Sequence, residues 1–465
     1  MESINKRKNV LIEEYTSMAE SCNKIDPELY KKYDVKRGLR DISGKGVLAG
    51  LTEIGDVSAS YTDENGVVIT TPGKLSYRGM DINDLVNGFL KDGRFGFEET
   101  VYLLLFGELP NVNELNELRT FLTLYSKLPE SFLEDAIMKL PSKDLMNVLS
   151  RSVLALYAYD DNADDTSISN VISQCLQLIA QMPLLAVYGY QVLGHYYKNK
   201  SLVIHSPKRR YSTAENILHL LRPDSHFTHL EAVLLDLALV LHAEHGGGNN
   251  STFATHVITS TGTDTYSAVA SSLCSLKGPK HGGANIKVIQ MFEDMKREVR
   301  DWGNEGAIRD YLFKLLNREA FDREGLIYGV GHAVYSLSDP RAVIFKGHAE
   351  KLAIEKGFEA EFMLYEKVEK LAPEVIAEKR RIYKGVSINV DFYSGLVYRM
   401  LNIPEELYTP LFAISRIAGW SAHRIEELVN RGKIIRPAYK SIAPNREYVP
   451  INMRSINDSG IALNS

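Results

Sequence analysis

Cysteine is nearly absent from this sequence: there are three in 465 residues, Cys22, Cys175 and Cys274, widely separated and odd in number. That excludes a disulfide-stapled secreted fold, and a reducing, cytoplasmic setting is expected. No charge of one sign dominates, because 54 basic and 59 acidic side chains leave a formal charge of -5. Neither nucleic acid nor an anionic membrane is therefore expected as a partner, and a small molecule is the better expectation. Uninterrupted apolar runs are lacking too. The most apolar stretch, Leu176 to Leu193, is broken by Gln181, Pro183 and Gly189 and reads as a buried helix rather than a membrane span. The first twenty residues mix acids with bases and have no signal-like apolar segment. No repeat, low-complexity tract or Pro/Gly/Ser linker is visible.

What remains is an ordinary globular composition, 45% hydrophobic and 24% charged, in a chain longer than one core usually organises. Apolar residues recur at three- and four-residue spacing over Phe97 to Phe106, Val148 to Tyr159, Val171 to Tyr197, Thr228 to Ala243 and Ala284 to Val299, predicting helices. Thr228 and Glu231 form a capping-box pattern before a run that is hydrophobic almost all round. The charged stretch Lys346 to Arg381 predicts solvent-facing helices of a smaller unit. Strand signals are few: Val57 to Thr71, around the turn-like Asp63-Glu64-Asn65-Gly66, and Gly385 to Asp391. The expected fold class is all-α.

Four polar clusters stand beside glycines: LHAEHGGGN at 241–249, GPKHGGAN at 278–285, YGVGHAV at 328–334 and NVDFYSG at 389–395. Glycine beside histidine opens space around the imidazole, as a substrate-contacting ring requires. Taken singly, a histidine capped in a turn is the plainer reading of each of the three that contain histidine. His242-x-x-His245 could also share a helix face as metal ligands, but neither the H-E-x-x-H order nor a completing acid accompanies it. Cys274, in an apolar helical run, reads as core packing rather than a nucleophile.

The order of these clusters is more informative. GPKHGGAN, YGVGHAV ending in Ser338-Asp339-Pro340-Arg341, NVDFYSG, ISRIAGW at 414–420 and IIRP at 434–437 resemble the motif series of the citrate synthase family. GKLSYRGMDINDL at 73–85, FEETVYLLLFGELP at 97–110 and the carboxyl-terminal YKSIAPNREYVPINMR at 439–454 extend the resemblance over nearly the whole chain. It implies a two-domain helical fold, with a large dimer-forming domain at 1–282 and 391–465, a small domain at 283–390, and a cleft between them. The implied reaction joins acetyl-CoA to oxaloacetate and hydrolyses the citryl thioester, with acetyl-CoA a substrate and no resident cofactor or metal.

By this resemblance Asp391 is the base that takes the methyl proton, and His281, as neutral imidazole, donates to the thioester oxygen. His332 is implied to polarise the ketone. His245, Arg341, Arg416 and Arg436 match substrate-binding positions, with Arg436 supplied by the neighbouring subunit of a homodimer. The planar guanidinium suits the two carboxylates of oxaloacetate. One position departs: Ser336 stands where many relatives place a basic residue for a CoA phosphate, so CoA-binding residues stay unassigned, with Lys277, Lys280 and Lys346 nearby. A 2-methylcitrate synthase taking propionyl-CoA shares the same catalytic residues, since one methylene changes discrimination by only about 1–3 kcal/mol. A metallohydrolase and a non-catalytic binding protein are more distant alternatives.

Overall fold

The structure is a computed structural model and describes residues 2–41, 46–332, 334–380 and 385–454. Its contacts divide the chain into two units, Met1–Gly50 with Arg436–Ser465, and Leu51–Ile435. In the first, helix Glu2–Cys22 is followed by the short helix Pro27–Lys32, whose cap Asp26 accepts the Glu28 amide. Cation–π contacts add to this unit, with Arg37 over Tyr30 at 4.4 Å and Lys440 over Tyr33 at 5.2 Å. The domain limits expected at 283 and 390 both lie inside the second unit, each at a helix start, Ala284–Glu298 and Val390–Met400.

The described residues form seventeen α-helices and one three-stranded sheet, so the chain is all-α. Helix Ile168–Lys198 is the spine of the second unit. Its most apolar window is 83% buried within the protein, as expected of a core helix, and Pro183 lies inside it. Tyr408–Val429, buried from Tyr408 to Ile425, packs along it, as does Leu145–Leu156. Phe97–Phe106 begins and ends where the apolar spacing placed it. The charged stretch forms Pro340–Lys356 and Glu359–Arg380. One expectation fails: Cys274 is exposed, and only Cys175 of the three cysteines is buried.

The sheet is a hairpin, Gly55–Thr62 antiparallel to Val68–Tyr77, with Met80–Asp81 added at its edge. Asp63 makes the turn by accepting the Asn65 and Val67 amides at 2.9 and 2.8 Å, the Asx chemistry expected of that segment. The second expected strand does not form as one. Within 385–391 only Ile388 bridges to Val330, and helix Val390–Met400 has already begun. Helix His229–His242 starts at the predicted box, with Thr228 and Glu231 satisfying each other's amides. Arg222 and Lys356 also pair with Glu231, at 2.7 and 2.9 Å. The helix is buried along most of its length and stops beside the glycines.

Candidate active site

Two histidines mark the end of that buried helix. His242 lies in the last turn with Nδ1 donating to the Ala238 carbonyl at 2.8 Å. Burial lowers its pKa to about 3, so it is neutral. His245 follows in the turn, 8% exposed, and its Nε2 has no hydrogen-bond partner. Burial holds its pKa well below the usual imidazole value, and Arg341, His332 and Arg416 lower it further. The ring meets His332 edge-on at 5.1 Å and Tyr335 at 5.6 Å.

His332 and Asp391 are brought together by backbone pairing between their two segments. The Gly331 amide donates to Ser387 and the Asn389 amide to Gly329, at 2.7 and 2.9 Å. The Asn389 side chain then donates to the Gly331 carbonyl at 2.9 Å and accepts the Asp391 amide at 3.0 Å, capping the helix that carries Asp391. Gly329 and Gly331 have φ of +78° and +100°, a region that side chains other than glycine enter at a cost. His332 Nδ1 accepts the Val334 and Tyr335 amides, both at 3.1 Å. Two donors facing Nδ1 leave the ring proton on Nε2.

Arg341 sits in the first turn of Pro340–Lys356 and is 3% exposed. Asp339 holds it through Nε and Nη2 at 3.0 and 2.8 Å. The same carboxylate accepts the Val390 amide at 3.1 Å, tying the arginine to the helix of Asp391. Arg416 is fully buried on Tyr408–Val429, gives Nε to the His242 carbonyl at 2.6 Å and lies 4.7 Å from the Phe412 ring. Its Nη1 and Nη2 have no hydrogen-bond partner. Burial lowers its pKa to about 10, so it keeps its charge. A buried guanidinium with two unused donor nitrogens is costly unless a carboxylate is bound there.

His281 lies in the turn between Thr265–Lys277 and Ala284–Glu298, its amide donating to Gly278 at 2.9 Å. Its Nε2 is 3.1 Å from Ser251 Oγ, which accepts Trp420 Nε1–H at 3.2 Å and lies 3.0 Å from Asn249 Oδ1. Burial, with Arg416 adding, lowers the His281 pKa to about 4, so the ring is neutral. Asp391 is partly exposed, yet desolvation raises its carboxyl to about 6 against the opposing pull of Arg341 and Arg416, with Asp339 adding to the rise. Six of the sequence-predicted residues are thus linked by contact or by field: His245, His281, His332, Arg341, Asp391 and Arg416. Arg436 is exposed and belongs to the other unit.

Sequence reasoning assigned no role to Asp339, Ser251 or Trp420. Asp before Pro is an N-cap signal and could have drawn attention to Asp339, whereas the partners of Ser251 and Trp420 appear only on folding. Among the described residues the one group with metal-ligand spacing is His256, His423 and Glu426, not His242 with His245. Lys346 pairs with Glu369 and Glu366, and Lys277 with Asp144.

A family model described as "Citrate synthase, C-terminal domain" matches residues 43–438. The chain is 34% identical to a citrate synthase of Synechocystis sp. over 83% of its own length and 90% of that protein's. It is 32% identical to a 2-methylcitrate synthase of Shewanella oneidensis, covering 85% of this chain and 96% of the other. Among solved structures it is similar to the Thermoplasma acidophilum citrate synthase in ternary complex with carboxymethyl coenzyme A and oxaloacetate. That match has a TM-score of 0.74 and 28% identity and covers 90% of this chain and 99% of that one.

Proposed function

We propose that this chain, which belongs to the citrate synthase family, condenses acetyl-CoA with oxaloacetate and hydrolyses the citryl thioester to citrate and CoA. The observation that carries this reading is the set of unsatisfied nitrogens in one buried place. Arg416 offers Nη1 and Nη2 as donors, and His245 Nε2 is likewise without a hydrogen-bond partner. With the Asp339-held Arg341 nearby, they suit a small dianion.

The thioester methyl is a very weak acid, so base and donor must act together. Asp391, raised to about 6, is ionised at neutral pH and is a stronger base than a free aspartate. It takes the methyl proton while neutral His281 donates to the thioester oxygen, where enolate charge develops. Ser251, which accepts Trp420 Nε1–H and donates to Asn249 Oδ1, lies 3.1 Å from His281 Nε2 and fixes the orientation of the ring. One such preorganised donor lowers the barrier by about 3 kcal/mol. The enolate carbon attacks the ketone, whose oxygen is polarised and then protonated by His332 Nε2–H. Water completes hydrolysis.

In this reading the working form is a cytoplasmic homodimer, Arg436 of one subunit completes the site of the other, and no metal or resident cofactor takes part. Purified protein should release CoA thiol from acetyl-CoA only when oxaloacetate is present, and should remain fully active after exhaustive chelation. CoA release without oxaloacetate would indicate a plain thioesterase. Propionyl-CoA run beside acetyl-CoA decides the second reading, to which the similarity with a 2-methylcitrate synthase lends weight. A higher kcat/KM for propionyl-CoA would establish it.

A further inference from the structure

Behind the site, on the side of Tyr408–Val429 that carries Arg416, four titratable side chains from three elements form a continuous line. Glu427 Oε2 is 2.8 Å from His256 Nδ1. His256 Nε2 is 3.1 Å from His423 Nδ1, and His423 Nε2 is 3.2 Å from Glu244 Oε1. Glu426 Oε2 lies 3.7 Å from His423 Nδ1. Its other oxygen accepts the Glu53 amide at 2.8 Å, and Arg78 contributes a positive field to it. His423 and Glu244 are both 0% exposed. One proton lies between the two rings: with His256 Nδ1–H given to Glu427 and the His256 pKa lowered by burial and by His423, that proton sits on His423 Nδ1, and His423 Nε2 faces Glu244 as an ion pair. His423 then carries both ring protons.

Glu244 stands between His242 and His245, where it also accepts the Gly246 amide at 2.5 Å and shares its field with Arg416. Its burial is built in. A Cβ at Gly419 would collide with Glu244 Oε2 and lie 2.5 Å from the Ala243 carbonyl, and one at Gly55 would lie 2.8 Å from Glu244 Cγ. Gly247 in turn rests with its Cβ position 3.5 Å from His423 Cε1 and 3.6 Å from His256 Nε2. The turn bearing His245 is thus held by the carboxylate on one side and the imidazole pair on the other. A buried carboxylate needs a counter-charge to stay ionised, and Arg416, whose Nη nitrogens face no hydrogen-bond partner, is turned to other use.

Resting on the functional reading above, we propose that His423 is a positioning residue for the keto acid. As an imidazolium it holds the Glu244 carboxylate, and through it the His245–Gly247 turn and the field around Arg416. The ring is enclosed by Glu244, Glu426 and His256, and the two carboxylates raise its pKa to about 9 against the opposing effect of burial, with Glu244 contributing more than Glu426. It therefore stays charged through neutral pH.

Two measurements test this. In 15N-histidine spectra of the ligand-free protein at pH 7.5, with the resonance assigned by its loss in His423→Gln, both ring nitrogens of His423 should be protonated. In kinetics, His423→Gln and Glu244→Gln should each raise the oxaloacetate KM by about tenfold to a hundredfold, the range for a lost charge-assisted hydrogen bond. The acetyl-CoA KM and the kcat at saturating oxaloacetate should change by less than about threefold. The double variant should be no worse than the poorer single one. Glu244→Gln, which keeps the side chain's size and leaves His423 in place, covers the case in which His423→Gln does not fold. A neutral His423 ring at pH 7.5, an unchanged oxaloacetate KM in a folded variant, or a loss confined to kcat would overturn the proposal. An imidazolium in a wild-type protein lacking oxaloacetate-dependent CoA release would instead fault the functional reading.

Discussion

Single side chains at the site are tuned by burial first and by charge second. Asp391 is the clearest case, because desolvation raises its carboxyl to about 6 while Arg341 and Arg416 hold it from rising further. A base must be unprotonated to act, so kcat/KM should fall about tenfold per pH unit below about 6. Asp391→Asn should remove that acidic limb and lower kcat by about 10²–10⁴-fold. Its folded pKa lies above the unfolded value, so the contribution of this group to stability is greatest below about pH 4. It is lost as pH rises through 6. Asp391→Asn should therefore melt no lower than wild type at pH 7. Hydrogen exchange into the acetyl-CoA methyl, with a non-reacting oxaloacetate analogue bound, isolates the proton step, and wild-type exchange by folded Asp391→Asn would move the base to another residue. His281→Ala should lower kcat by about 10²–10³-fold, the scale for removing one oxyanion donor, with the acidic limb in place. The positions of these residues are legible because glycines and motif order mark them. The groups that tune them are not: Asp339, Ser251 and Glu244 acquire partners 51, 169 and 179 residues away, in Val390, Trp420 and His423.

Among the elements, those with one strong period were readable and those made by pairing were not. Phe97–Phe106 and His229–His242 follow from apolar spacing and a capping box, which are local properties. The segment 385–391 has strand-like residues but finds a partner only at Val330, so it forms one bridge rather than a strand. That bridge, with the amide bonds beside it, is what sets His332 against the helix of Asp391. Gly329 is its tightest point, because a Cβ there would lie 2.9 Å from both Phe392 Cδ2 and Val288 Cγ2, at a φ of +78°. Gly329→Ala should cost about 1–3 kcal/mol of stability and should lower kcat as well, since both catalytic segments must shift. Gly88→Ala is the control. It lies in helix Ile82–Lys91 with nothing within 4 Å of its Cβ position and should stabilise the protein by about 0.4–1 kcal/mol. Thermal melts of the two variants should move in opposite directions, and equal shifts would refute the role given to Gly329.

In the proposed homodimer the site draws on two chains, with Arg436, which stands outside the unit that holds the other six residues, assigned to the site of the neighbouring subunit. The chain leaves that unit at Ile435, whose amide is fastened to Ser260 Oγ at 3.1 Å, and the arginine that follows is exposed. Sequence order alone made this assignment, through the resemblance of IIRP to the family motif, because no local period or cap reports on a partner subunit. If Arg436 reaches the site of a neighbouring subunit, Arg436→Ala should raise the oxaloacetate KM, and an inactive Asp391→Asn subunit should rescue it. In a dimer of one Asp391→Asn and one Arg436→Ala chain, one site carries both defects. The other draws Asp391 and Arg436 from the intact positions of each. After random exchange of equal amounts, half the dimers are mixed and half of their sites are whole, so activity should recover to about a quarter of wild type. Exchange is followed independently by differential tagging and native mass spectrometry. Mixed dimers that form and show no activity above the sum of the parents would place Arg436 in its own chain's site, or in none.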